Sequence, residues 1–335
     1  MKVVVLGCGT MGSIHAAAFS RMPDVTLAAV CDIDGERAER LASKLGTVRY
    51  ASFEEMMNAV EADVVSIALP TPLHKPYVLK AAALGKHVIC EKPIAASPED
   101  AEEMIAACRA NGVRLFIGHV VRFFPEYADM SSRIEAGAIG TVGVAHAKRI
   151  GSHPGDATPW YADQEASGGV MMDLMIHDID YMRSLFGDVK SVYALNRTGP
   201  SLDYALVTLR FHHHNAIVHL EAHWGYPGPF TTAAEFAGTS GVLRYDSSAS
   251  NSLQIRRAQA TASEKKVAVP SSPSYRDPYY LELAHFIGCI RSGAEPIVTE
   301  EDAKKAVEVA RAAIKSAATG QVIRLDAAEV NGEER

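Results

Sequence analysis

The chain opens with a short strand that runs straight into a glycine loop, and few arrangements restrict a fold more. Lys2-Val3-Val4-Val5-Leu6 is a β-branched apolar run of the kind buried in a parallel sheet. It leads into Gly7-Cys8-Gly9-Thr10-Met11-Gly12, a match to G-x-G-x-x-G. In such a loop the first glycine makes the tight turn. The second lets the backbone approach a pyrophosphate, and the third lets the next helix pack closely. Ser13 to Arg21 reads as that helix, with its N-terminal amides aimed at the phosphates. A second strand, Thr26 to Val30, ends at Cys31-Asp32, and Asp32 stands 20 positions after Gly12. A carboxylate there accepts hydrogen bonds from the adenosine ribose and repels a 2′-phosphate, so NAD is favoured over NADP. Asp34 and Arg37 are near enough to alter that choice. A glycine-rich turn in an unrelated βαβ unit is the plain alternative, and the strand, helix and acid around the loop argue against it.

Strand and helix patterns go on alternating through the first third. Helices read over Arg37 to Leu45, Ser52 to Ala59, Lys75 to Leu84 and Pro98 to Asn111. Strands read over Asp63 to Leu69, Lys86 to Cys90 and Arg114 to Ile117. This alternation predicts a parallel, doubly wound sheet. After Arg122 the pattern changes to long alternating runs: Val142 to Ile150, Ser191 to Asn196, Asp203 to Phe211, Ala216 to His223 and Thr231 to Phe236. The expected fold is therefore α/β in two domains. Residues 1–121 form a Rossmann domain. Residues 122–335 form an α/β domain with a large, mainly antiparallel, open-faced sheet. Terminal helices over Asp277 to Ser292 and Glu300 to Thr319 could pack back on the first domain, and the tail from Ala327 is polar.

Composition narrows the partners. The 335 residues suffice for two full cores. A net charge of −7 without a basic, aromatic-laced patch argues against nucleic acid. No apolar run approaches the roughly 20 residues that span a bilayer. The chain opens directly into a strand, so no signal peptide is read and a cytoplasmic protein is expected. Its five scattered cysteines lack C-x-x-C spacing, which fits free thiols in a reducing compartment.

Two further segments carry chemistry. Asp173 and His177 stand four apart among Met172, Ile176 and Ile179, a spacing that puts both on one face of a helix. A polar pair in so apolar an element needs a partner. A structural hydrogen-bonded pair would serve, as would a substrate. Metal binding by Asp173, His177 and Asp180 lacks a second histidine or any cysteine at ligand spacing. The second segment, Gly85 to Pro93, ends a strand, which brings Glu91 and Lys92 to the edge where parallel sheets bind ligands. A cis bond at Pro93 would fix the direction of that loop. Trp160 and Tyr161, in a glycine- and proline-rich loop, either line a substrate cleft or shield its rim.

Together these segments resemble the Gfo/Idh/MocA oxidoreductase family, the group of glucose–fructose oxidoreductase and inositol dehydrogenase. The resemblance rests on Gly7 to Gly12 with His15, Pro70-Thr71-Pro72-Leu73-His74 and Gly85 to Pro93. It continues through Arg122 to Tyr127, Ser167 to Asp180 and Tyr279-Tyr280-Leu281-Glu282. It implies a catalytic triad of Lys92, Asp173 and His177. It implies NAD held by Gly7, Gly9, Thr10, Met11, Gly12, Asp32, Leu69, Pro70, Thr71, His74, Glu91 and Lys92. Arg122 and Tyr279 match substrate contacts, and Trp160 joins them as a cleft residue; no metal is implied. Homodimers or homotetramers formed through the second-domain sheet are also implied. Met175 departs from the pattern, since many members have glycine there.

The implied reaction oxidises a secondary hydroxyl of a cyclitol or sugar, with hydride passing to nicotinamide. His177 suits the role of base near neutral pH, with Lys92 stabilising charge on the oxygen. Lys92 as base is the other assignment, and the sequence leaves both open. Asp173 binds a neighbouring hydroxyl or orients the pair. A UDP-N-acetylhexosamine or sugar-phosphate 3-dehydrogenase is the alternative enzyme, with Lys148 and Arg149 as candidate diphosphate ligands. A non-catalytic, nucleotide-sensing regulator on the same fold is the alternative outside enzymes.

Overall fold

The computed structural model describes residues 1–156, 159–249, 253–257 and 277–326. The tail from Ala327 lies outside them. The chain divides into two compact units, Met1–Phe123 with Arg276–Val307, and Phe124–Tyr275 with Glu308–Arg335.

The first unit is built on strands β1 (Lys2–Leu6), β2 (Thr26–Cys31), β3 (Val48–Tyr50), β4 (Val64–Ile67), β5 (His87–Glu91) and β6 (Leu115–Gly118). They pair in the order β3-β2-β1-β4-β5-β6, all parallel. Val3, Val4 and Val5 are fully buried, as a strand covered on both faces requires. Helices α1 (Thr10–Ser20), α2 (Gly35–Leu45), α3 (Phe53–Ala59), α4 (His74–Ala83) and α5 (Pro98–Ala110) connect the strands. Asp34 caps α2, Ser52 caps α3 and Ser97 caps α5, each accepting from an amide in the first turn. β3 was not legible in the sequence. It is a short edge strand with Val48 exposed, so it lacks an apolar pattern and is held by pairing with β2. Further on, α10 (Pro278–Ser292) packs on this unit's core, where Phe286 stacks on Phe116 at 5.0 Å.

The second unit begins with α6 (Pro125–Glu135) and carries β7 (Val142–Gly151), β8 (Val189–Gly199), β9 (Leu202–Phe211) and β10 (Ile217–Trp224). β11 (Thr231–Gly238), β12 (Gly241–Asp246), β13 (Leu253–Arg257) and β14 (Ile323–Arg324) complete its sheet. The order is β13-β12-β11-β7-β10-β9-β8-β14, with β7 and β10 parallel and the other pairs antiparallel. Short helices α7 (Gln164–Ser167) and α8 (Gly169–Asp173) precede α9 (Ile176–Phe186), and α8 and α9 pack on the strands. The strands alternate burial, and Tyr193, Leu195 and Leu206 stand exposed among them. The last helix, α11 (Glu300–Thr319), contains the division between the units.

One expectation about the Asp173–His177 segment does not survive. It is not one helix: α8 ends at Asp173, and α9 starts at Ile176. The Leu174 and Met175 amides both donate to the Val170 carbonyl, at 3.1 and 2.8 Å. The hydrogen-bond ladder thus slips by one residue between the acid and the imidazole, although both linking residues keep right-handed dihedrals.

Candidate active site

In the first unit the glycine loop folds as its spacing demands. Gly7 has φ +95°, and a Cβ there would collide with the Ala68 carbonyl at the end of β4. A Cβ on Gly12 would overlap the Gly7 carbonyl, so the start of α1 lies directly against the loop. Gly9 differs, because a Cβ there would meet no protein atom within 4 Å. Gly9 is also the N-cap of α1 and offers no capping side chain to the first turn, which contains Thr10 and Met11. Open space beside an uncapped helix N-terminus suits a pyrophosphate.

Asp32 follows β2 and is buried. It accepts from the Cys8 amide at 2.7 Å and from the Asp34 amide at 2.9 Å. The acid therefore also holds the glycine loop. The half-exposed Arg37 places Nη1 3.9 Å from Asp32 and Nη2 3.5 Å from Asp34. Burial, then the Asp32 charge, pushes the Cys8 thiol up to about 12, so it is no nucleophile.

The loops after β4 and β5 are tied together by His74. Its Nε2 faces the Leu69 carbonyl at 2.8 Å and its Nδ1 faces the Pro93 carbonyl at 2.9 Å. Burial pushes this imidazole down, against the pull of both carbonyls. Pro70 and Thr71 lie in the short helical turn between Leu69 and His74, with Thr71 buried. The Lys92–Pro93 bond is cis. Lys92 is half-buried, and its amide donates to the Glu91 carboxylate at 3.2 Å.

Glu91, expected among the cofactor contacts, has a buried side chain hydrogen-bonded to His15 Nε2 at 2.9 Å. His15 Nδ1 is 2.8 Å from Ser66 Oγ. The only signal in the sequence was His15 itself, within the glycine-loop resemblance; nothing pointed to Ser66.

Arg122 Nη1 donates to the Ile297 carbonyl at 2.9 Å and lies 3.4 Å from Asp302. Its guanidinium thereby anchors the segment between α10 and α11. Tyr279 stands in the first turn of α10, where its amide donates to the N-cap Asp277 at 3.1 Å.

The second unit carries Asp173, His177 and Trp160. Asp173 is buried at the C-terminus of α8, and His177 is half-buried in the first turn of α9. Trp160 stacks on Tyr161 at 4.1 Å, and Tyr161 meets Trp224 edge-on at 5.8 Å. What holds α8 has no signature along the chain. Gly168 and Gly169 both have positive φ, and a Cβ on Gly169 would lie 2.7 Å from Asp203 Oδ2. Asp203 can therefore reach the helix start, where it accepts from the Val170 amide at 2.8 Å. Arg149 is committed elsewhere: it makes a buried, two-pronged bond to Asp178, at 3.0 and 2.9 Å. Lys148 is 3.5 Å from Glu221. Lys148 is half-exposed, whereas the Arg149 guanidinium is buried. Among the described residues no cluster of three or more His, Cys, Asp or Glu side chains could hold a metal ion.

Burial raises the Asp203 carboxyl above its ordinary 3.8, against the bond from Val170. A raised acid binds more protons folded than unfolded, so stability falls as pH climbs from 3.8 through the folded value. Asp203→Asn keeps an acceptor for Val170 and removes the titration. Urea unfolding should show the wild type losing stability relative to the variant as pH climbs through that window. Parallel curves for the two proteins would refute this.

The family model for the oxidoreductase family's NAD-binding Rossmann fold, GFO_IDH_MocA, matches residues 1–119. The model for the C-terminal alpha/beta domain matches residues 131–325. Scyllo-inositol 2-dehydrogenase (NAD(+)) of Bacillus subtilis is 31% identical, over 97% of this chain and 96% of its own. Myo-inositol 2-dehydrogenase of Thermotoga maritima is 30% identical, over 97% and 99%. The WlbA dehydrogenase of Bordetella pertussis, crystallised with NADH and UDP-GlcNAcA, superposes with a TM-score of 0.85 at 25% identity, covering 98% of both chains.

Proposed function

Since the chain belongs to the Gfo/Idh/MocA family of NAD-binding oxidoreductases, we propose that it oxidises a secondary hydroxyl of a cyclitol, in the manner of an inositol dehydrogenase. One observation carries the choice of substrate class. Two inositol dehydrogenases match nearly end to end at about 30% identity, and the chain retains Lys92, Asp173 and His177. The engagement of Arg149 by Asp178 and of Lys148 by Glu221 weighs against a nucleotide sugar. A purely regulatory protein would need none of the three polar residues together.

In the proposed reaction NAD, when bound, supplies the hydride acceptor. The glycine loop and α1 hold its pyrophosphate, and Asp32 binds the adenosine ribose. The loops after β4 and β5 line the nicotinamide end. Lys92 and His177 share the substrate hydroxyl proton, one removing it and the other stabilising charge on oxygen. Asp173 binds a neighbouring hydroxyl. In this reading Trp160 and Tyr279 are substrate contacts. Arg122 serves this reading as a strut rather than a ligand, because its guanidinium already has two partners. We assign the exposed face of the second sheet to self-association into dimers or tetramers, which light scattering will decide. Five buried free cysteines suit a reducing compartment such as the cytoplasm.

The test is NAD reduction at alkaline pH with scyllo-inositol, myo-inositol, glucose, glucose 6-phosphate and UDP-N-acetylglucosamine. Turnover of an inositol, and not of the charged compounds, is the expected result. Preference for the UDP-sugar would replace this reading with the nucleotide-sugar one. Cofactor binding with no turnover across a wide polyol and sugar panel would favour the regulator.

A further inference from the structure

Next to Lys92 lies a buried chain of three polar side chains that no step of the proposed reaction uses. Ser66 ends its hydrogen bond on His15 Nδ1 at 2.8 Å, and His15 Nε2 meets Glu91 Oε1 at 2.9 Å. Glu91 Oε2 takes the Lys92 amide at 3.2 Å. His15 is fully buried and Glu91 is 6% exposed. The groups around the carboxylate come from every neighbouring element. His15 faces it from α1, Cys90 adjoins it on β5, Lys92 follows it just beyond that strand, and His74 acts on it from α4. From β6 there is Gly118, where a Cβ would stand only 3.3 Å from Oε1.

The chemistry of the set is specific. An ionised carboxylate only accepts, so His15 Nε2 must donate to it. Nδ1 then accepts from the Ser66 hydroxyl when the ring is neutral, or donates to its oxygen when the ring is charged. His15 keeps both bonds in either state. A buried carboxylate is costly unless it is paired and hydrogen-bonded, and here it has both kinds of support.

We propose that Glu91 is a positioning residue for Lys92, and that His15, braced by Ser66, is what keeps a carboxylate rather than a carboxylic acid beneath that lysine. As an anion Glu91 accepts the Lys92 amide and sets negative charge beside the cationic side chain. Burial alone would raise the Glu91 carboxyl. The His15 bond, with the Lys92 charge nearby, outweighs burial and holds it below the usual range. The inference rests on the proposed role of Lys92 in handling the substrate hydroxyl.

The test uses His15→Leu, Glu91→Gln, the double variant and His15→Gln, whose amide still donates. Without the imidazole, burial acts on Glu91 with less opposition, and its carboxyl should protonate at a higher pH than in wild type. Difference infrared spectra of His15→Leu should then show a buried carboxylic-acid band growing as pH falls, absent from wild type and from the double variant. Turnover of the inositol used by wild type should fall along the same limb, at least tenfold between its ends. Glu91→Gln should be slow at every pH with no such limb, and His15→Gln should resemble wild type. No infrared band in His15→Leu, or a band that turnover ignores, overturns the proposal. Should His15→Leu fail to fold, His15→Met carries the same reading. If instead Lys92→Ala turns over normally, the assignment of Lys92 has failed, and the infrared result still decides whether His15 keeps Glu91 ionised.

Discussion

Replacing Lys92 by alanine should lower turnover by roughly a thousandfold or more, with the affinity for NAD kept within about tenfold. The size follows from what is lost. A positioned acid or base contributes about 10²–10⁴ in rate, and a charge aimed at a developing oxyanion contributes a similar amount. The affinity follows from what remains. The glycine loop, the N-terminus of α1 and Asp32 are all distant in sequence from Lys92, and in the proposed binding mode they hold the other end of the dinucleotide. Stability should scarcely move, because Lys92 is half-buried and its amide bond to Glu91 survives the substitution. Turnover within tenfold of wild type would remove Lys92 from the chemistry.

Lys92→Arg adds a second decision. Arginine stays charged at any working pH, so it cannot act as a base, but it can still donate to an alkoxide. Partial recovery relative to alanine would give the base role to His177. Activity as low as alanine's would give it to Lys92. His177→Gln should then show the complementary pattern, with the larger loss if the imidazole is the base.

What the sequence disclosed and what it hid follow one physical division. Signals carried by neighbours along the chain were readable. The run Val3 to Leu6 before Gly7 and the acid after β2 fixed the first unit, because turn, strand and helix are local properties. The alternation in β7 to β11 likewise marked a sheet with unlike faces. Contacts between distant segments had no such signature. Ser66 is an ordinary strand serine until the fold brings it to His15, 51 positions away. Asp203 becomes a helix cap only because Gly169 leaves room for it. Arg149 was open to a ligand role until Asp178 was found on it. The break between Asp173 and His177 is a second kind of failure. Met172, Asp173, Ile176, His177 and Ile179 read as one helix by spacing, since the slip at Leu174 and Met175 changes a hydrogen-bond partner without changing the backbone region.

Alanine at Gly9 and alanine at Gly12 should damage the protein in different ways, although both belong to one motif. At Gly12 the new methyl would overlap the Gly7 carbonyl, which is backbone and cannot swing aside. The start of α1 must then move off the strand. Gly7 cannot yield, since it is pinned at positive φ against Ala68 and its amide donates to the Cys31 carbonyl at 2.8 Å. The damage therefore falls on folding as well as binding. A loss of about 3 kcal/mol or more in unfolding free energy is expected, the range of overpacking combined with backbone strain. NAD affinity should fall with it, by about a hundredfold or more, since a displaced helix end no longer presents its amides to the phosphates. At Gly9 the methyl meets nothing in the protein. Stability should stay within about 0.5 kcal/mol of wild type, and alanine's smaller unfolded-state freedom could even raise it. The free space at Gly9 is what a pyrophosphate would occupy, so NAD affinity should still fall tenfold or more. Thermal unfolding and calorimetric titration with NAD separate the two. A Gly9→Ala protein that is stable and binds NAD like wild type would show that the cofactor does not approach the loop at Gly9. A Gly12→Ala protein of normal stability would show that the helix start is not packed on the loop as described.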